Sequence, residues 1–235
     1  MQTHVIISYD GTDNDNDALA LGAIFGDAGA RVSLAYVRHT VEEDAAAEHA
    51  AQAHAEQILE RGALWLGHPE VARHVVISGS TGQGLWSLAD REHADLIVFG
   101  SDWHTAPGSV QPGQSAQRLI DGGPVAVAIA AAGLRDRDMD RLRTVAIAGG
   151  EFDEATHATA ESLAALTGNP LALPSQENLD LLVIGSRPGT PEGRVGISAA
   201  SEYLVDTARA SVLIVARGAA LHPAQAPVPD PLETR

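Results

Sequence analysis

The chain has 235 residues and a formal net charge of −16, with 31 acidic residues against 15 basic ones. Such a balance excludes the basic footprint that a phosphate backbone requires, so neither nucleic acid nor an anionic membrane is an expected partner. All 15 basic residues are arginine and cysteine is absent, which removes lysine-dependent P-loops, Schiff-base chemistry, disulfides and thiolate metal sites.

No apolar run approaches a membrane span. The first residues, "HVIISYD", enter a strand pattern directly and lack the basic, apolar and small-residue order of a signal peptide. A cytoplasmic protein is the expectation.

Residues 4–9 form a short apolar, β-rich run. Residues 14–28 carry Ala18, Leu19, Leu21, Ala23, Ile24 and Phe25 at helical spacing, closing on glycines. Residues 31–37 predict a second strand. Residues 41–62 predict a long helix with an acidic first turn and many alanines. Further strands are expected at 74–78, 95–100 and 124–130, with helices at 83–93 and 113–122 between them. Apolar strands alternating with helices imply a parallel sheet covered on both faces.

The segment 133–143, "GLRDRDMDRLR", is highly charged and reads as a linker or surface segment. The pattern then restarts. "VAIAGG" at 145–150 resembles "VIISYDG" at 5–11. "DLLVIGS" at 180–186 resembles "DLIVFGS" at 95–101, and the strand at 211–216 resembles that at 124–130. The chain reads as an internal duplication. Val5 and Leu96 are 91 residues apart, whereas Val145 and Leu181 are only 36 apart. The second copy therefore lacks about 55 residues. It keeps one helix (153–167) and a short strand within "PLALP" (170–174), and loses the counterparts of the second helix, third strand and third helix. The expected organisation is a complete α/β domain at 1–132, a linker at 133–142, a truncated copy at 143–218 and a proline-rich, disordered tail at 219–235.

The two strand–Asp/Gly–helix starts, "DLIVFGS" and "GGPVAVAIA" resemble the universal stress protein family in tandem form. The resemblance implies a doubly wound parallel sheet of order 3-2-1-4-5, followed by a reduced copy of the same fold. It implies a non-enzymatic stress-response module acting through protein partners. It also implies self-association through the final strands 124–130 and 211–216, paired across a pseudo-two-fold within one chain or between two.

Nucleotide-binding members carry a loop of the form Gly-x2-Gly-x9-Gly-(Ser/Thr), whose glycines let backbone N–H groups approach phosphates at a helix start. Here its four positions fall on Gly100, Trp103, Gly113 and Gln114, with Ser101 inside the loop and Ser115 one step beyond. Length is kept, while Trp103 replaces a glycine and Gln114 replaces a hydroxyl. The family's acidic residue after the first strand falls on Asp10, followed by Gly11, and its adenine-facing position falls on Val37. The implied ligand is ATP or a related adenine nucleotide, at one degenerate site in the first copy. In the second copy the acidic position falls on Gly150, and Ile197 takes the place of the third glycine. No nucleotide is expected there.

Other motifs fail on spacing. Counted from Asp13, a calcium loop would need glycine at Ala18 and a carboxylate at Ile24. The acidic cluster 10–17 is instead expected to cap the first helix. "GQG" at 82–84 is followed by Ser87 where a dinucleotide fingerprint needs its third glycine. His49 and His54 are five apart on a helix and share no face. No metal site and no catalytic constellation is found. Two alternatives stay open: a ligand-free interaction protein of the same fold, and a nucleotide-hydrolysing enzyme.

Overall fold

The computed structural model describes residues 2–137, 139, 141–148, 153–176 and 178–222. In chain order the first copy contains β1 (His4–Ser8), α1 (Asp15–Asp27), β2 (Arg31–Arg38), α2 (Ala45–Trp65), β3 (Ala72–Ile77), α3 (Thr81–Glu92), β4 (Leu96–Phe99), α4 (Gln114–Ile120) and β5 (Ala126–Ile129). The second contains β6 (Val145–Ala148), α5 (Glu154–Thr167), β7 (Leu181–Gly185), α6 (Ala199–Thr207) and β8 (Ser211–Val215). All eight strands join one sheet of order β3-β2-β1-β4-β5-β8-β7-β6. The first five strands reproduce the expected 3-2-1-4-5 order.

Every neighbouring pair is parallel except β5 and β8, which pair antiparallel through Val127–Ile214, Ala128–Leu213 and Ile129–Val212. The final strands thus meet within one chain. Strands β6, β7 and β8 correspond to β1, β4 and β5. The β2 counterpart is reduced to a single bridge between Ala146 and Ala172, inside the "PLALP" stretch.

The strands are apolar on both faces because helices cover both. Phe25 of α1, Leu59 of α2 and Leu163 of α5 pack with Ile7, Val98, Val183 and Leu213 on one side. Leu88 of α3, Leu119 of α4 and Val205 of α6 pack with Ile6, Ile97, Ile184 and Ile214 on the other. Each core runs unbroken across both copies. At about 25 cal/mol per Å² of apolar surface removed from water, these two layers are the main stabilising term.

Glycines permit the closest approaches. A Cβ on Gly84 would stand 3.0 Å from Val37 Cγ1, and one on Gly82 would stand 3.2 Å from the Ser115 carbonyl oxygen. Gly82 and Gly84, in the first turn of α3, therefore let that helix lie against β2 and α4. Ser80 caps α3 by accepting the Gln83 N–H.

Three expectations need correction. Residues 41–44 are not helical, because α2 begins at Ala45 behind its cap Asp44, whose carboxylate accepts the Ala47 N–H. The charged segment after β5 is no free linker: Leu134 and Leu142 are buried, and its start is tied to α1 through Asp17. At the other end of the chain, Leu221 is buried and its N–H donates to Thr159 Oγ1, so order extends to that point. The remainder of the expected tail, 223–235, lies outside the described residues.

Candidate functional site

In an open parallel sheet, ligands bind in the crevice where the chain's winding reverses. Here that crevice lies beyond the carboxyl ends of β1 and β4. A cleft of about 410 Å³ opens there. Eight of the nine residues singled out in the sequence line it: Asp10, Val37, Gly100, Ser101, Trp103, Gly113, Gln114 and Ser115. Gly11 does not. It turns the chain away at φ +86°, with Ile58 and Arg61 packed close to its Cα.

The lining also includes Tyr9, Asn14, Asp15, Tyr36, His39 and Asp102, which the motif had not marked. Asp15 belongs to a run expected only to cap α1. The α1 cap is Asn14, whose side chain makes no capping bond and instead donates to the Ser101 carbonyl at 3.0 Å. Asp15 Oδ2 accepts the Asp10 N–H at 2.6 Å, and Asp10 Oδ1 accepts the Thr12 N–H at 2.9 Å. Asp10 thus shapes the turn while leaving its carboxylate exposed at the mouth. Burial, followed by the hydrogen bond and charge of Asp10, holds the Asp15 carboxyl well above the ordinary carboxylate range.

Asp17, the last of the acidic run, is fully buried. It accepts the Gly133 and Arg135 N–H groups at 2.9 and 2.8 Å and pairs with the Arg135 guanidinium at 3.0 Å. The acidic cluster therefore serves three separate structures rather than one helix cap.

The loop from β4 to α4 closes on itself. Ser101 bridges to Pro112, and the Asp102 N–H donates to the Gln111 carbonyl at 2.8 Å. The Ser101 hydroxyl donates to the Ala130 carbonyl at 2.7 Å and accepts the Gln111 N–H at 3.3 Å. Gly100 has a packing role, since a Cβ there would overlap the Asn14 carbonyl. Gly113 has none: nothing lies within 4 Å of where its Cβ would stand, and its φ of −70° suits any residue. As the α4 cap it supplies no side-chain bond to the first turn. Trp103 stands over the mouth, 73% exposed, with its ring against His104.

The second copy repeats this loop bond for bond. Ser186 donates to the Val215 carbonyl at 2.7 Å and accepts the Gly196 N–H at 3.2 Å, while the Arg187 N–H donates to the Gly196 carbonyl. The match between loops corrects the sequence alignment. The counterpart of Gly113 is Ser198, the α6 cap, whose hydroxyl accepts the Ser201 N–H. Ile197 corresponds to Pro112. Gly150, the expected counterpart of Asp10, lies outside the described residues.

Comparison with known proteins agrees with this fold. The sequence profile described as the universal stress protein family matches residues 1–131. The chain belongs to the universal stress protein family. The fold is shared with a universal stress protein from Archaeoglobus fulgidus DSM 4304, at 13% identity and a TM-score of 0.68, covering 92% of this chain and 98% of that one. A functionally unknown protein, PA1789 from Pseudomonas aeruginosa PAO1, covers 91% of this chain and 92% of its own at 14% identity and a TM-score of 0.55. A partial match, over 41% of this chain and 70% of the other, is to a universal stress protein in complex with cAMP, at 23% identity and a TM-score of 0.31. No match is found among curated proteins. Among the described residues no helix is long and apolar enough to cross a membrane, and no group of three or more His, Cys, Asp or Glu side chains could hold a metal ion.

Proposed function

We propose that this universal stress protein is a non-enzymatic cytoplasmic regulator that acts through protein association and holds at most one adenine nucleotide, in the cleft of its first copy. The observation that supports a ligand is the position of that cleft. It lies at the winding reversal, and its wall includes a glycine, Gly113, that neither packing nor backbone angle requires. Base-sized apolar surface is available from Val37 and from the rings of Tyr9, Tyr36 and Phe99. The regulatory reading rests on family membership and on the lack of lysine, which leaves phosphoryl chemistry without its usual point charge.

The test is a titration with adenine nucleotides, followed by melting temperature and by the fluorescence of exposed Trp103, with Trp103→Phe as the control. A saturable shift supports the site, and its loss in Asp10→Ala locates it. No shift at millimolar ligand sinks the nucleotide reading and leaves an interaction protein without a ligand. Steady phosphate release from bound ATP would establish the enzyme instead.

A further inference from the structure

We propose that the cleft selects an uncharged adenine nucleoside over its phosphorylated forms, an inference that rests on the nucleotide-site reading above. The charged groups of the lining carry it. Asp10 and Asp102 contribute carboxylates, Asp15 adds a carboxyl whose charged form burial disfavours, and among the described residues no arginine lines the cleft. Among the described residues the one imidazole in the lining is that of His39, and it is occupied: Nδ1 faces the Ser78 carbonyl at 3.1 Å and Nε2 faces Thr81 Oγ1 at 3.4 Å. Arg61 stands close to Gly11 and Arg118 donates to Ser80, beside the lining residue Thr81, but neither belongs to the lining itself.

A polyphosphate chain in this cleft would meet negative charge from the wall and from the whole protein, whose net charge is −16. The loop end is the least hospitable part. Asp102 stands beside Trp103 there, its carboxylate fixed by the His104 N–H at 3.2 Å. Trp103 holds the motif position where a glycine would let backbone donors close around phosphate, and its exposed indole lies against His104 instead. At the opposite end the same carboxyl chemistry is favourable. Asp10 is exposed at the mouth and next to Asp15. Carboxyl oxygens in that position accept hydrogen bonds from vicinal ribose hydroxyls, as acidic residues do in dinucleotide sites. The aromatic and aliphatic wall takes the base.

The experiment is isothermal titration of the full chain with adenosine, AMP, ATP and magnesium-ATP at about 0.1 M salt, where charges beyond about 10 Å are already screened. Adenosine should bind best, with affinity falling at each added phosphate to about tenfold or more between adenosine and ATP. The gap should narrow as salt is raised. Asp102→Asn should raise the ATP-to-adenosine affinity ratio. ATP, free or with magnesium, binding more tightly than adenosine overturns the selectivity while leaving the site intact. Failure of all four to bind overturns both the selectivity and the site.

Discussion

Asp17 and Arg135 are 118 residues apart in sequence and 3.0 Å apart in the fold. Their ion pair, together with two backbone N–H bonds to the same carboxylate, fastens the end of the first copy onto α1. The aspartate is fully buried, so losing it leaves two N–H donors and a guanidinium without their acceptor. Asp17→Ala should cost about 3 kcal/mol in urea unfolding, the lower end of the range for breaking a buried pair because Arg135 is partly exposed. Because both cores run through both copies, the loss should lower a single transition rather than split it.

Gly100 and Gly113 look alike as motif glycines and should behave oppositely. Gly100→Ala drives a Cβ into the Asn14 backbone and should destabilise the fold by about 1–3 kcal/mol. Gly113→Ala meets nothing within 4 Å and should leave the melting temperature within about a degree of the parent. If the cleft holds a ligand against that backbone, the same substitution should weaken its binding. Melting and titration of the two variants side by side separate packing from recognition.

The acid-side behaviour of Asp15 has a definite sign. Its folded-state value is raised, so the folded chain holds the proton more tightly than the unfolded one. Folding is favoured by this group while it stays protonated, and the advantage is lost as pH rises from the ordinary value of 3.8 through the raised one. Asp15→Asn keeps an oxygen for the Asp10 N–H and removes that cost. It should raise the melting temperature at pH 7, and the gain should vanish below about pH 4. A gain that persists unchanged in acid would show that the carboxyl does not titrate as described.

Glu48 has the opposite sign. Arg38 grips it with two parallel bonds of 2.7 and 2.6 Å, and with the Glu42 N–H this pulls its carboxyl from 4.5 to about 2. The stabilisation is complete above pH 4.5 and disappears as pH falls toward 2. Glu48→Gln should therefore melt below the parent at pH 7 and converge with it near pH 2, read by circular dichroism across the acid range.

Much of this architecture is visible in the sequence because strand and helix periodicities are local. The repeated "DLIVFGS" and "DLLVIGS" stretches, with the shortened spacing before the second, predict the truncated copy that β6, β7 and β8 form. Helix starts are less visible. Residues 41–44 have helical composition, yet the Asp44 side chain captures the Ala47 N–H and starts α2 later.

The roles of individual polar residues are hidden for a different reason. Asp10, Asp15 and Asp17 sit within eight positions of one another, and nothing local shows that Asp17 alone will meet a segment more than a hundred residues away. Gly100 of the motif lines the cleft, but the physical demand for glycine there comes from the backbone of Asn14, the α1 cap beyond the end of the neighbouring strand β1. Asp102 and Asp15 went unmarked because a motif built around phosphate donors has no place for carboxylates.

The antiparallel meeting of β5 and β8 makes each copy the splint of the other. The guanidinium of Arg209, just before β8, donates to Ser109 in the first loop, and the Ala131 N–H donates to Ser211 Oγ. In return the Val195 N–H of the second loop donates to the Gly123 carbonyl just before β5. Of the three strands in the second copy only β8 reaches this seam, with β7 and then β6 lying beyond it. The edge of β5 is thus covered from within the same chain, so this pairing is independent of protein concentration.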